Sequence, residues 1–472
     1  MVAIPFPTSS RPGERPALGQ GRLVNAFATK EGKAIRWKRV PGLKVFAEPS
    51  QAVASVFTGP RGLFWSGNDL VVAVKDRIAR LNSSGTITML NGTFAGDTPV
   101  TIARNNNATP DIVAVASASV VTIGASSISP YGDGDVGVPN SVSSLDGYLI
   151  FTYGDGTIRA TGLNTISVDG LSSTKAESNP DGLLRGLVSA QLFYAMGQAS
   201  IEVYQDVGKS PFPLERVAVI PVGLMAPFAV AGGQQEGWDT QPIFVARDGT
   251  VRRLSGYQEE IVSTPDVVRD ILAVTEKSTL VASVYVVGET AIWSLSSPSW
   301  TWELNVSTGE WHQRRSYGLN RWRAAFSANA FDKWIVGDTQ SGTLFEVSAA
   351  AQMEGADPLI FEVESESVKS FPARIQCRRA DFDFVVGYGE EEGRDPIELN
   401  PQVEISWSDD GGVTWGTPVH RPLGREGRFG QLVSVLNTGQ AGAQGRKWRL
   451  RVSDPVDCTL MGGDMQATAR IV

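Results

Sequence analysis

Short apolar runs recur along the chain at nearly even spacing, and each is followed by a polar turn and a second strand-like stretch. Seven runs start 36 to 51 residues apart, at Leu70, Ile112, Tyr148, Leu192, Ile243, Ile292 and Trp334. The alternating partner stretches begin at Ile78, Val120, Thr157, Ser200, Val251, Trp302 and Thr343. A continuous apolar run indicates a strand covered on both faces, whereas alternation of apolar and polar residues indicates a strand with one face exposed to solvent. Sheets stacked radially supply both environments, so we expect an all-β chain with a β-propeller of about six or seven blades.

Turn residues separate the two halves of these units. Asp155-Gly156 and Asp248-Gly249 stand between apolar stretches. Asp-Gly supplies the positive φ angles of a two-residue type I′ hairpin, so this turn type is predicted at both places. Glycine makes up 50 of the 472 residues, above the usual share of about 7%, which also favours a fold with many tight turns.

The texture of the sequence changes near both ends. Before Val45 the chain is rich in Pro, Gly and Arg with little periodicity, and from about Pro358 the alternating stretches become longer. We expect an N-terminal extended arm over 1–48 and a propeller over 49–350. The remainder, 351–472, is expected to form an antiparallel β-sandwich of jelly-roll type, here called the tip domain.

One short helical insertion is predicted within the propeller, near 264–274. Thr264 is a natural N-cap, Pro265 suits the first helical position, and an aspartate follows that complements the helix dipole. We expect the helix to pack between blades through an apolar stripe made of Val267, Val268, Ile271 and Leu272.

Composition and charge exclude several functions. His312 and His420 cannot build a three-histidine metal site, and Cys377 and Cys458 cannot build a cysteine-rich zinc site. Two thiols in a long chain suit a reduced intracellular compartment, and we expect neither export by a signal peptide nor a membrane span. A net charge of −8 repels nucleic acid, so sequence-specific DNA binding is disfavoured.

Basic residues cluster around aromatic ones in three places. Such an arrangement can form a stacking platform for nucleic acid, although Arg and Trp are also enriched at strand edges and subunit contacts, the interpretation we favour. The clusters are Arg36, Lys38 and Arg39 around Trp37; Arg314, Arg315, Arg321 and Arg323 around Tyr317 and Trp322; and Arg446, Lys447, Arg449 and Arg451 around Trp448.

The predicted tip domain contains one Asp-box, the pattern S-x-D-x-G-x-T-W. Its aspartate is expected to hold a hairpin turn by accepting hydrogen bonds from backbone amides, with the tryptophan packed beneath. We interpret it as a structural turn. Sialidases carry several copies of this motif within propeller blades, whereas the single copy here lies outside the propeller. The residues are Ser408, Asp410, Gly412, Thr414 and Trp415.

Other motifs give no support for catalysis or for a cofactor. Gly132, Gly134 and Gly137 match G-x-G-x-x-G, but prolines bracket the run, so a loop is predicted instead of a dinucleotide site. Asp133 and Asp135 could ligate calcium, yet the further oxygen ligands of an EF-hand loop are missing. We therefore expect no enzyme activity, no cofactor and no metal.

Two stretches resemble a known family. GRLVNAFATKEGKAIRWKRVPGLKVF, and AESNPDGLLRGLVSAQLFYAMGQASIEVYQDVG at 176–208, are similar to the packaged-DNA-stabilisation proteins of lambdoid-type short-tailed phages (podoviruses), also called tail hub or tail nozzle proteins. The order of the later units and a final R-L-x-V strand agree, so the resemblance is essentially full length. The acidic loop at Glu390, Glu391 and Glu392 does not match.

The resemblance implies a structural virion protein without catalytic residues. It implies a ring of six copies that binds the portal and adaptor, extends the DNA channel, helps to retain packaged DNA and passes the genome at ejection. Tailspike or fibre and needle proteins would be partners, and assembly would take place in the bacterial cytoplasm. The alternatives are a glycan-binding or sialidase-like propeller and a receptor-binding tail protein, although no short repeat typical of a trimeric β-helix is present.

Overall fold

The fold is known from a computed structural model, in which strands dominate and, within the described ranges, a single α-helix interrupts them. It describes residues 1–32, 34–51, 53–116, 119–176, 178–179, 181–238, 241–388 and 397–470. The first five strands lie in the arm: β1 (Val2–Ala3), β2 (Arg22–Val24), β3 (Ala26–Glu31), β4 (Ala34–Arg39) and β5 (Gly42–Ala47).

Seven four-stranded antiparallel blades follow, each running from an inner first strand to an outer fourth strand. The first three blades are β6 (Pro60–Trp65), β7 (Leu70–Val74), β8 (Arg77–Leu81), β9 (Ile87–Met89); β10 (Thr101–Arg104), β11 (Ile112–Ala116), β12 (Ser119–Ile123), β13 (Ile128–Pro130); and β14 (Ser141–Leu145), β15 (Tyr148–Thr152), β16 (Thr157–Thr161), β17 (Val168–Lys175). Blades 4 and 5 are β18 (Leu183–Ser189), β19 (Leu192–Gly197), β20 (Ile201–Asp206), β21 (Leu214–Ile220); and β22 (Val230–Ala231), β23 (Ile243–Val245), β24 (Val251–Ser255), β25 (Gln258–Ile261). After helix α1 (Pro265–Ala273), blades 6 and 7 contain β26 (Val281–Val287), β27 (Thr290–Ser296), β28 (Thr301–Asn305), β29 (Glu310–Gln313); and β30 (Ala324–Ala330), β31 (Lys333–Asp338), β32 (Leu344–Ser348).

The predicted propeller is confirmed, with seven blades. The seven apolar runs are the second strands and their alternating partners are the third strands. In β7 all five residues are buried, as expected for a strand covered on both faces. The inner and outer strands of each blade were not predicted, because they are short or lack a period.

The ring closes between blade 7 and blade 1. Blade 7 borrows its outer strand from the arm, since β5 pairs with β32 and places Leu43 opposite Val347. Buried apolar clusters fill the gaps between neighbouring blades around the ring. The cluster that closes it joins Val72 of blade 1 to Ile335 and Leu344 of blade 7.

The two Asp-Gly turns differ from the predicted type. Type I′ requires positive φ at both central residues, but in the first turn only Gly156 has it, at 88°. The amide of Gly156 donates to the carbonyl of Tyr153, and the amide of Tyr153 donates to that of Thr157. Asp155 accepts the Thr157 amide at 3.0 Å, so its side chain closes a longer turn; the same pattern recurs at 246–250.

The predicted helix is present, with two local differences. Thr264 stands at the N-cap, yet its hydroxyl makes no capping hydrogen bond and is buried without a partner among the described residues. Val267 and Ile271 are fully buried against blades 5 and 6, as expected. Leu272, predicted in the same stripe, is 53% exposed because it lies at the edge of that face, over the turn at Gly249.

The C-terminal part is the expected antiparallel sandwich. After β33 (Met353–Glu354) and β34 (Asp357–Pro358), which extend the sheet of blade 7, its strands are β35 (Phe361–Glu364), β36 (Arg374–Phe384), β37 (Gln402–Ser408), β38 (Val419–Pro422), β39 (Val433–Ala441), β40 (Lys447–Val452) and β41 (Thr459–Arg470). One sheet has the order β3-β4-β41-β36-β39, with β1 paired to β41, and the other has the order β2-β35-β40-β37-β38. Their shared core contains Trp37, Phe382 and Trp448. The arm therefore supplies strands to both faces of the sandwich.

Blade 6 and the tip domain share one sheet. β2 pairs in parallel with β29, where Val24 lies opposite Gln313, and antiparallel with β35, where Leu23 lies opposite Val363. The result is a nine-stranded sheet that runs from β26 at the pore to β38 in the tip. Backbone hydrogen bonds thus connect the propeller to the tip without a flexible linker.

Candidate functional site: the propeller pore and its joint with the tip

The pore of the propeller is filled by side chains. The central cavity that remains measures about 60 Å³. Its lining includes Arg185, Phe228, Glu236 and Phe326. The Arg185 guanidinium lies 5.0 Å from the centre of the Phe228 ring, and Phe228 packs edge-on against Phe326 with 6.3 Å between ring centres. A cavity of this size holds a few water molecules and no larger ligand.

Backbone distortion and a charge pair keep the plug in place. β30 bulges at Phe326, whose φ of 56° is rare for an aromatic residue, and the bulge turns the ring into the pore. A nitrogen of Arg185 lies 3.8 Å from Glu236, which also accepts the Gly232 amide at 2.6 Å. Burial lowers the pKa of Arg185 and raises the pKa of Glu236, while each group partly offsets the shift of the other. The pair holds the short 3₁₀ turn Gln234–Glu236 across the pore.

A buried cation lies at the joint between propeller, arm and tip. The Arg314 guanidinium donates to the Tyr285 hydroxyl at 3.0 Å, to Glu354 Oε1 at 3.2 Å and to the carbonyl of Pro41 at 2.7 Å. It also stacks 4.2 Å from the centre of the Trp322 ring. These contacts join β26, the loop before blade 7, the end of the arm and β33.

Two acids and a histidine surround this cation. Glu303, also fully buried, accepts the Tyr285 hydroxyl at 3.0 Å and lies 2.9 Å from His312 Nε2. Burial opposes its ionisation, yet the charge of Arg314 and the hydrogen bonds lower the pKa of Glu303 overall. For Glu354 burial dominates and raises the pKa, although Arg314 works against it. Burial alone would lower the pKa of Arg314, but Tyr285 and the two glutamates raise it, so the guanidinium stays charged.

The arm is held to both halves of the molecule. Asp266 in the first turn of α1 accepts the Gly13 amide at 3.0 Å, which ties the arm to the propeller. In the tip, Lys447 Nζ donates to the carbonyls of Pro16 at 2.6 Å and Gly19 at 2.9 Å. Burial lowers the pKa of Lys447, and the two carbonyls accept from two of its three N–H groups. The segment 13–19 therefore bridges α1 and β40.

The five Asp-box residues lie at the end of β37 and in the turn that follows it. Asp410 Oδ1 accepts the amides of Val413 and Thr414, each at 3.0 Å. Partial burial works against ionisation, but the hydrogen bonds from Thr414 and its neighbours lower the pKa of Asp410 well below its usual range. The Arg449 guanidinium lies 4.3 Å from the centre of the Trp415 ring. The glycines of the turn, Gly411 and Gly412, contact the arm at residues 16–17.

The predicted basic and aromatic clusters are mostly interior. Trp37, Trp322 and Trp448 are buried, and so are Arg314 and Arg446. A nucleic-acid base cannot stack on rings that the fold already covers. For these three tryptophans the stacking-platform interpretation is therefore wrong. Tyr317, the other aromatic residue of the clusters, is 59% exposed and is not covered by the fold.

The glycines and aspartates at 132–137 form a structural loop. Gly132, Gly134 and Gly137 lie in a loop that contains a single 3₁₀ turn. Asp133 accepts the amides of Asp135 at 3.0 Å and Val168 at 2.9 Å. No group of three metal-ligating side chains occurs in the part of the chain that the structure describes.

The histidines and cysteines singled out in the sequence do not come together in one site. His420 is exposed on β38, far in sequence from the buried His312 cluster, and both cysteines are buried and unpaired in the sandwich core. The acidic loop at Glu390–Glu392 falls in 389–396, outside the described residues. Among the described helices, none is long and apolar enough to cross a membrane.

The residues of the pore and the joint were missed by the sequence analysis. One signal was available: Glu303 interrupts the otherwise apolar and aromatic stretch WELNV, and a charge on a buried strand needs a buried partner. Arg314 appeared only as a member of a basic cluster. Nothing local distinguishes Arg185 or Glu236, because the pore is formed by blades far apart in sequence.

Comparison with known proteins gives one family and several distant folds. The family model Phage_stabilise, described as "Bacteriophage P22 Gp10, beta-propeller", matches residues 38–352. A streptogramin B lyase structure is 12% identical, with a TM-score of 0.43 over 64% of this chain and 96% of that one. The WD40 β-propeller domain of Doa1 is 11% identical, with a TM-score of 0.40 over 65% and 96%. No curated protein matches the chain.

Proposed function

Because this chain belongs to the phage stabilisation family of bacteriophage P22 Gp10, a family of structural phage proteins, we propose that it is the tail nozzle of a short-tailed phage. In this proposal six copies form a ring that extends the DNA channel of the portal and adaptor. The ring helps to retain the packaged genome and gives it passage at ejection. Tailspike or fibre and needle proteins bind to it, and it is assembled in the bacterial cytoplasm before it becomes part of the virion.

The filled pore is the observation that carries this proposal. A DNA duplex cannot pass through the pore of one propeller. The major groove of the duplex alone is about 12 Å wide, whereas the cavity left in the pore has a volume of only about 60 Å³. A member of this family that handles DNA must therefore form the conduit between several copies. Rotational symmetry with the same contact repeated from copy to copy builds such a conduit.

The charge of the chain supports a conduit in which DNA slides. With a net charge of −8, the protein offers little general attraction to phosphates. Strong phosphate contacts would hold the genome back, whereas a weakly repelling wall lets it move.

We also propose roles for two parts of the chain. The Asp-box turn is a structural element that positions the arm, since its glycines contact residues 16–17. The motif residues of this turn are Ser408, Asp410, Gly412, Thr414 and Trp415. The division into an arm (1–48), a propeller (49–350) and a tip (351–472) stays a proposal about folding units, because strands of the arm pair in both sheets of the tip and in blade 7.

Electron cryo-microscopy of the virion tail tests the assembly. We expect six copies around a central conduit, with the pore of each propeller filled and the ring in contact with the portal or adaptor. A ring of another order without such contact overturns the proposal. A sialoside turnover assay on the purified chain separates it from a sialidase-like propeller: a ring without turnover supports the nozzle, and a monomer with turnover contradicts it.

A further inference from the structure

A short hairpin projects from the tip domain and exposes a phenylalanine. Ser370 and Ala373 pair across it, and Val368 pairs with Arg446 at its base. Phe371 at its end is 79% exposed, the highest exposure of any aromatic side chain among the described residues. A large apolar side chain held in water at the end of a fixed hairpin indicates an anchor for a partner.

Three cations lie near this anchor in the sequence. Lys369 and Arg374 flank the hairpin, Arg378 follows on β36, and all three are exposed. None of them forms an ion pair with another described residue, in contrast to Arg252, Arg323 and Arg451. Aromatic and arginine side chains are enriched at protein interfaces, and unpaired cations beside an exposed ring favour an acidic partner surface.

Blade 3 carries a groove of the complementary character. The groove measures about 340 Å³ and is lined by Asp135, Val138, Tyr153, Asp155 and Arg159. The Val138 side chain is 66% exposed, so it offers the groove an apolar surface that an inserted ring can contact.

Further acids reinforce the charge around the groove. Asp133 lies next to it, and Gly170, the neighbour of Asp169, approaches the Asp135 carboxylate. Together four aspartates stand against two cations, Arg159 and Lys175, so the region is net negative. Hydrogen bonds from backbone amides lower the pKa of Asp133 and of Asp155, and both stay charged over a wide pH range.

We propose that Phe371 of one copy inserts into the blade 3 groove of the next copy, with Lys369, Arg374 and Arg378 facing the aspartates around it. This inference rests on the proposed ring. The tip is joined to blade 6, three blades away from blade 3 around the seven-bladed propeller, so the two surfaces face different sides of one copy. A knob and a groove on different sides make a head-to-tail contact, which repeats and closes into a ring.

Phe371 argues against DNA as the occupant. A cationic hairpin alone would suit phosphates, which need no exposed aromatic anchor. A phenylalanine can enter a duplex as a wedge between base steps, but such a wedge kinks the DNA and holds it in place, which does not fit a conduit in which DNA slides. A second copy of the chain offers both the groove and the negative charge.

The first test removes the anchor. In native mass spectrometry of the purified chain at increasing concentration, Phe371→Ala is expected to raise the concentration at half assembly by at least about tenfold, the effect of losing an interface hot spot. The matched control is Phe429→Ala, which removes another exposed ring of the tip and should leave assembly unchanged. Equal assembly of wild type and Phe371→Ala overturns the inference.

The second test assigns the groove. Arg374→Asp and Asp135→Arg should each weaken assembly, and the double variant should recover at least half of the loss because the charge pair is restored in reverse. Two weak singles without recovery overturn the pairing with the groove. If Arg374→Asp instead leaves assembly intact and weakens binding of a DNA duplex, the hairpin contacts DNA and the inference is wrong. A wild-type chain that never assembles contradicts the ring itself, which separates that failure from this one.

Discussion

Replacing Arg314 by methionine should be among the most damaging single changes in the molecule. The side chain is fully buried, and its guanidinium faces Glu303 at 3.8 Å and Glu354 at 3.2 Å. Methionine fills much of the same volume, so the change removes the charge with little loss of packing. It leaves two buried carboxylates without their shared cation.

The expected loss follows from this geometry. Removing one partner of a buried ion pair costs about 3–5 kcal/mol, because the remaining charge is neither solvated nor paired. The lost hydrogen bonds to Tyr285 and to the Pro41 carbonyl act in the same direction. We therefore expect the free energy of unfolding of Arg314→Met to fall by about 3–5 kcal/mol.

Urea unfolding followed by tryptophan fluorescence measures this loss, since Trp322 stacks on the guanidinium. Lys209→Met is the matched control: its pair with Glu215 is 2.8 Å long but exposed, so the loss should stay within about 1 kcal/mol. Arg314→Met combined with Glu354→Gln should be less damaging than the two single losses added together, because one orphaned charge is gone. A loss for Arg314→Met no larger than that of the control would refute the reasoning.

Three further predictions concern closure, acid and thiol reactivity. Leu43→Ala in β5, at a side chain that is 1% exposed, should lower the free energy of unfolding in urea by about 2–5 kcal/mol; Val45→Ala on the same strand, 41% exposed, should cost clearly less, and equal losses would contradict closure by β5. Because the pKa of Asp410 is lowered in the folded state, its contribution to stability is present above the unfolded value of 3.8 and is lost as the pH falls through the folded value. The protection factors of the Val413 and Thr414 amides, which compare their exchange with that of an unstructured amide at the same pH, should therefore fall in acid, and in Asp410→Ala they should be low already at pH 7; high protection in that variant would exclude the role of the carboxylate. Burial raises the pKa of Cys458 to about 12, so a thiol reagent at pH 8 should modify it slowly in the native protein and rapidly in denaturant, and equal rates would show that the thiol is accessible.

Local pattern was enough to predict the propeller but not its closure. The second and third strands of each blade are buried on a fixed side and joined by a short turn, so their period and spacing appear in the sequence. β5 is as regular as any of these strands, yet its partner β32 lies about 300 residues further along the chain. Pairing at that distance leaves no local signal, and residues 42–47 therefore looked like part of an unpaired arm.

Turn chemistry misled the sequence analysis in both directions. Asp155-Gly156 has the residues of a type I′ turn, but the aspartate prefers to accept the Thr157 amide and the turn lengthens. Conversely, Ala190-Gln191 and Phe331-Asp332 adopt positive φ at both positions without any glycine. There the pairing of long flanking strands imposes the backbone conformation on residues that do not favour it.

The buried charges could not be placed from the sequence because each depends on partners from distant segments. Arg314 is bound by β26, β33 and the carbonyl of Pro41, and Arg185 meets Glu236 across the pore. A basic residue beside an aromatic one has the same local appearance inside a protein and on its surface. Only the fold shows that Trp322 and Trp448 are already covered.

The pairing of β5 with β32 also sets an order of events on the ribosome. At about 5–20 residues per second, the partner of β5 emerges roughly 15–60 s after β5 itself. During that delay the first six blades can fold, while the strand that completes the seventh stays unpaired. β4 can pair with β3 at once, but its other edge waits longer still for β41, which follows β32 along the chain. The strands of the arm thus find their distant partners only after most of the propeller or the tip has been made, and a chain interrupted before β32 would leave an edge of β5 exposed to other chains.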